Sequence, residues 1–200
     1  MLTCLPSLST ILVNKTVIKL FYKKRVEENG NKLYKKLVHQ FSKTIIGEPE
    51  KWLVDAAVSI GLDYSGLCHE TTNEFINHCI NQHGNEKTES LRGQVPVTPA
   101  EIGLIPEIVK NPDYVIIGIK KYGQIFNVYL KHETSGSIIY YEEVLNSKKN
   151  KSLRSKTMYI KVGSVSRETF LKIVLNNANT DISGSKMVVG AGGHPGGEAE

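Results

Sequence analysis

Cysteine is scarce in this 200-residue chain, and the three present, Cys4, Cys68 and Cys79, are an odd number without a repeating spacing. That argues against a disulfide framework and for a reducing working compartment. Long apolar runs are lacking too. The opening MLTCLPSLSTILVNKTVIKLF is interrupted by Pro6, Asn14, Lys15 and Lys19, well before the roughly 18 apolar residues a membrane helix needs. No Lys or Arg precedes Lys15, so the basic start of a secretory signal is missing as well. No membrane partner is expected. The 40% hydrophobic and 22% charged residues that remain are those of a soluble globular chain with enough apolar material for a core.

Charge is unevenly spread. Residues 1–60 hold ten Lys or Arg against five acids, residues 61–130 five against eight, residues 131–175 nine against four, and residues 176–200 one against three. Two basic blocks thus flank a mildly acidic middle. The second block suits a polyanion, although a solubilising lysine face would carry the same charge.

The apolar spacing predicts three regions. Residues 1–60 read as a helical connector or subdomain, with Leu33, Leu37, Val38 and Phe41 at helical spacing and then PEKWLVDAAVSIG, which opens on Pro49 and stops at Gly61. Residues 61–176 read as the main domain. Within it Thr71 or Thr72 can cap a helix whose stripe is Phe75, Ile76, Cys79 and Ile80, closed by Gly84. Thr98 and Pro99 open a short helical stretch that Pro106 must bend or interrupt and Asn111-Pro112-Asp113 ends. The period then changes to two. DYVIIGIK, GQIFNVYLK, GSIIYYEEV and RSKTMYIKV are rich in β-branched and aromatic residues and are separated by turn chemistry. SRETFLKIVLNN reads as a last short helix, and residues 177–200, with their many glycines, as a flexible tail.

Alternation sorts the strand residues. Phe126, Val128 and Leu130 should face a core, as should Met158, Ile160 and Val162. Asn127, Tyr129, Lys131, Thr157, Tyr159 and Lys161 then face outward, while Lys156 falls on the apolar set. An outward face of hydroxyls, cations and aromatic rings suits a solvated sheet surface and equally a phosphate and a base.

The ordered run of His69, His78, His83-Gly84, Arg92-Gly93-Gln94, Val97-Thr98, Ile105-Pro106, Asn111-Pro112-Asp113, IIYYEEV and KTMYIK resembles the phage-associated branch of the barnase, EndoU, colicin and RelE group of nucleases, over roughly residues 60–163. The resemblance implies an α+β fold with a helix ahead of a four-stranded antiparallel sheet, as in barnase and RelE. It implies metal-independent cleavage of RNA, with neither cofactor nor metal, by a toxin domain attached to a phage head or secreted-toxin protein. It also implies action in the cytoplasm of a target bacterial cell, with an immunity protein or a phage structural protein as partner.

The histidines can be weighed on chemistry alone. Cleavage of RNA without a metal needs a base for the ribose 2′-hydroxyl and an acid for the leaving 5′-oxygen, and imidazole, with an unperturbed pKa near ~6.5, suits both. His78 and His83 are five apart, about 140° around a helix, so they should not both point straight at one phosphate. Cys68, His69, His78, Cys79 and His83 are all acceptable zinc ligands, but Cys79 lies in the apolar stripe and no second pair has a zinc-like spacing. A packing or capping role for the histidines stays open, since His83 before Gly84 suits a helix C-terminus whatever the function.

The expectation is therefore an endoribonuclease. His78 is the first choice for base or acid, with His83 or His69 as its partner. Thr157 and Tyr159 would bond the phosphate, Tyr141 would meet a base if it rather than Tyr140 faces the cleft, and Lys156, Arg154, Lys161 and Arg92 would bind RNA by charge. The competing expectation is a module of a phage particle protein that binds nucleic acid or protein without cutting.

Overall fold

The computed structural model describes residues 43–148, 150–176 and 180–189. In chain order these form β1 (Lys43–Gly47), α1 (Lys51–Val58), β2 (His69–Thr72), α2 (Asn73–His83), α3 (Glu86–Leu91), β3 (Gln94–Val95), α4 (Pro99–Ile102), α5 (Ile105–Lys110), β4 (Tyr114–Lys121), β5 (Gln124–Glu133), β6 (Gly136–Asn146), β7 (Lys151–Lys161), α6 (Arg167–Leu175), β8 (Thr180–Asp181) and β9 (Lys186–Val189).

The four alternating runs become the antiparallel meander β4 to β7, as expected. The turn before Gly136 joins β5 to β6, with Glu133 opposite Gly136. Glycine is required there: its φ is 136°, and an added Cβ would stand 2.3 Å from the Lys161 carbonyl oxygen of the neighbouring strand. The helix signals hold as well. Thr72 accepts from the Phe75 N–H, Ser166 from the Thr169 N–H, and Thr98 and Glu101 form a capping box with Pro99 in the first turn. Pro106 does interrupt the helical stretch, which divides into α4 and α5.

The sheet is larger than the expected four strands and is not wholly antiparallel. Its order is β1-β2-β7-β6-β5-β4-β8, with β3 also on β7 and β9 also on β4, and β2 runs parallel to β7. The five added strands are two to five residues long. Such pieces are too short to show a period, and pairing to an existing edge creates them. Two expectations fail here. Lys43–Gly47 is a strand where helices were expected, and Lys186–Val189, inside the stretch read as a flexible tail, pairs with β4. Residues 33–41 of the predicted N-terminal helices lie outside the described residues.

Both faces of the sheet are covered. On the first, α1, α2, α4 and α5 bring Leu53, Phe75, Cys79, Ile102, Ile105 and Ile108 against Tyr129, Tyr140, Met158 and Ile160. On the second, Phe170 and Val174 of α6 pack on Phe126, Val128, Leu130 and Ile139. Phe126, Val128 and Leu130 of β5 and Met158 and Ile160 of β7 therefore face opposite cores, whereas Val162, expected inward, lies just past the end of β7 and is exposed. Asn127 and Tyr129, expected outside, have no exposure at all. Cys79 is free and buried.

Candidate active site

β7 meets β2 at Leu153 and Arg154 and β3 at Ile160 and Lys161. Between those ladders, among the described residues, no strand pairs with β7 on that side, and α2 occupies the gap. Its start is set by β2, which runs directly into the Thr72 cap. Phe75 and Cys79 turn into the core, where the Met158 backbone hydrogen-bonds the Cys79 sulfur. His78, one residue earlier, stays exposed and reaches β7, with Nε2 3.2 Å from the Thr157 hydroxyl.

His83 ends the same helix. Its ring centroid lies 5.8 Å from that of His78 and 5.9 Å from that of Tyr159. The helical-wheel argument against this convergence describes Cα directions in mid-helix. At the last residue the side chain is drawn instead toward Glu89 of α3, whose carboxylate lies 3.2 Å from His83 Nδ1. Glu89 is fully buried and also accepts from Arg92 at 2.7 Å, while Arg92 reaches the Gln82 carbonyl. One ring nitrogen of His83 is thus held by a carboxylate, and Nε2 is left for proton transfer.

The strand side of the cluster comes from the second face. Tyr141 pairs with Thr157 across β6 and β7, and its ring stacks on that of Tyr159 at 6.3 Å, with a hydrogen bond between the side chains. Tyr140 points into the first core instead and bonds Glu142, so of the two tyrosines Tyr141 is the one on the face of Thr157 and Tyr159. The ladder slips at this point: Tyr141 faces Thr157 and Glu142 faces Ser155, which makes Lys156 the extra residue of a bulge. A bulge re-aims a side chain, and Lys156 joins Thr157, Tyr159, Tyr141, Lys121 and Gln124 around a cavity of about 300 Å³.

The electrostatics follow from this packing. Loss of solvent on the helix face, then the charges of His83 and Lys156, hold the His78 imidazole below its ordinary pKa and hence neutral at physiological pH. Burial, followed by the neighbouring Tyr141, pushes the Tyr159 phenol far above its usual range, so it remains a hydrogen-bond donor. Lys156 approaches Glu143 at 3.4 Å, and Glu143 also accepts from Gln124 at 2.6 Å.

The other expected site residues are placed elsewhere. His69 is buried in the first core and bonds Glu142 at 2.9 Å; Glu142 accepts from Tyr129 and Tyr140 as well. Arg154 is held by Glu70 at 2.6 Å. Lys161 lies at the far end of β7, beside β3. Arg92 touches the cluster only through Glu89. His132, a further histidine, is committed on both ring nitrogens, to Asp113 and to the Val165 carbonyl. Among the described residues, no three His, Cys, Asp or Glu side chains are grouped so as to hold a metal ion, and no helix is long and apolar enough to cross a membrane.

Sequence reasoning missed Glu89, Glu143, Lys121 and Gln124. Only Glu89 left a trace, its i,i+3 spacing to Arg92 at the end of α3.

Two imidazoles, one oriented by a buried carboxylate, stand beside hydroxyls and a lysine, which is equipment for moving protons at a phosphate. No curated protein and no solved structure matches the chain. Residues 47–168, more than half of its length, match the family described as phage-Barnase-EndoU-ColicinE5/D-RelE like nuclease3, and the chain belongs to that nuclease family.

Proposed function

We propose that this nuclease is an endoribonuclease toxin that cleaves RNA through its own 2′-hydroxyl, with His78 and His83 as base and acid. The observation that carries the reading is the convergence of His78, His83 and Thr157 from a helix and a strand, with Glu89 behind His83. His78, held neutral, takes the 2′-hydroxyl proton. The 2′-oxygen attacks phosphorus, the bond to the 5′-oxygen breaks, and His83 protonates that oxygen from Nε2. The products are a 2′,3′-cyclic phosphate and a free 5′-hydroxyl. Thr157, Tyr159 and Lys156 carry the negative charge that grows on the phosphoryl oxygens. Arg154 and Lys161, lying on the same strand, add long-range attraction for the RNA backbone. A nuclease of this kind calls for an immunity protein in the cell that makes it, and a phage particle is the proposed carrier.

The test is cleavage of a defined RNA, with and without EDTA, alongside the same strand carrying a single 2′-deoxynucleotide at the cut site. EDTA-resistant cleavage that stops at the deoxy position is expected. In folded protein, His78→Ala should lower the rate by roughly 10²–10⁴-fold with affinity nearly unchanged. Cleavage of the deoxy strand, or a folded His78→Ala protein as fast as the parent, would overturn the mechanism.

A further inference from the structure

The cavity beside Thr157 is more than the catalytic cluster needs. Its apolar lining is Ile119 and Phe126 of the sheet and Val174 of α6. Tyr141 and Tyr159, a stacked pair, line it together with Thr157. At the rim, Tyr122 is 68% exposed in the β4–β5 turn, with the Lys121 ammonium 5.4 Å from its ring centroid. An apolar slot with aromatic walls and cations at its mouth suits a flat heterocycle that carries a phosphate.

Gln124 supplies the polar element. It spends one amide hydrogen on Glu143, which is itself nearly buried and held also by Lys156. That contact fixes which end of the amide is nitrogen, and it leaves the carbonyl acceptor and the second amide hydrogen for a ligand. The acceptor and donor of one amide pair with the N6–H and N7 edge of adenine when the remaining hydrogen lies on the carbonyl side.

We propose that this cavity is the nucleobase subsite of the enzyme: it stacks the base of a nucleotide whose phosphate lies at Thr157, and Gln124 reads that base, favouring adenine. The inference rests on the endoribonuclease reading for its phosphate position and goes beyond it in assigning base selection to residues outside the proton-transfer cluster.

The test uses the full chain in two ways. In the first, 3′-AMP and 3′-UMP are titrated while the methyl signals of Ile119 and Val174 are followed by NMR. In the second, cut sites in a mixed-sequence RNA are mapped for the parent and for Gln124→Leu, a surface substitution whose fold is checked by circular dichroism. The expected result is saturating methyl shifts with 3′-AMP at lower concentration than with 3′-UMP, and a preference for adenine that Gln124→Leu weakens by about tenfold or more. Methyl signals unmoved by either nucleotide, equal response to both, or an unchanged cut-site preference in folded Gln124→Leu would overturn the subsite. Failure of the endoribonuclease reading looks different: the parent cuts no RNA, and the methyl titration still decides whether the cavity takes a base.

Discussion

His83 turns its Nδ1 onto the carboxylate of Glu89 at 3.2 Å, and Glu89 has no exposed surface. The contact makes an exposed helix end into an oriented imidazole, because the carboxylate fixes both the ring plane and the tautomer. Arg92, on the other oxygen of Glu89, keeps that carboxylate from being an uncompensated buried charge.

Glu89→Gln should therefore do more than loosen a helix. An amide N–H facing Nδ1 reverses the tautomer, and the cleavage rate should fall roughly 10²–10⁴-fold, as when a triad carboxylate is neutralised. The dependence of kcat on pH should change shape, which a merely structural loss would not cause, and Glu89→Asp should recover part of the rate.

The second expectation concerns pH. Neutral His78 is the working form, so falling pH inactivates the enzyme by protonating it. Because desolvation, His83 and Lys156 together hold its pKa below the ordinary value, activity should persist below about pH 6.5 before that limb is reached. Lys156→Ala removes one repelling charge. NMR titration of the His78 ring should then show a higher pKa, and the acid limb of the rate should move upward with it.

His69 is expected to matter for folding only. Its bond to fully buried Glu142 lies in the first core, on the side of the sheet away from Tyr141 and Tyr159. His69→Leu leaves that carboxylate to two tyrosines and should cost about 3–5 kcal/mol in urea unfolding. The rate per folded molecule should stay within error of the parent; a large loss in fully folded protein would return His69 to the chemistry.

The two strands β8 and β9 should be a structural edge. β9 covers β4 through Tyr114 to Ile117, with Met187 packing toward one core and Val188 toward the other. Deleting residues 180–200 bares the outer side of β4, and the melting temperature should fall, with a greater tendency to aggregate through the exposed strand. An unchanged melting temperature would mean that β8 and β9 contribute nothing to stability.

Much of this was legible in the residues alone. The meander, the capped helix α2, the division at Pro106 and the last helix follow from local rules of period, cap and turn, which act within a few residues. His78, Thr157, Tyr159, Tyr141 and Lys156, which the fold brings together, could be singled out as candidates because acid/base and phosphate chemistry restricts the side chains able to serve. Lys156 shows the limit of that reading. Strict alternation sends it to the apolar set, and only the bulge in the β6–β7 ladder turns it beside Thr157.

By itself, the sequence determined which segments alternate, which helices are capped and which side chains could move a proton. Tertiary structure decided what those segments meet. A second covered face, invisible to period-two patterning, buried residues expected in solvent. Strands of two to five residues exist only because an edge was there to pair with. The gap between β2 and β3 on β7, where α2 brings His78 to Thr157, is a property of the ladder and of no single segment. Glu89 and Gln124 are ordinary polar residues in the chain, and their roles come from neighbours that the fold alone supplies: His83 across a turn in one case, Glu143 across a strand pair in the other.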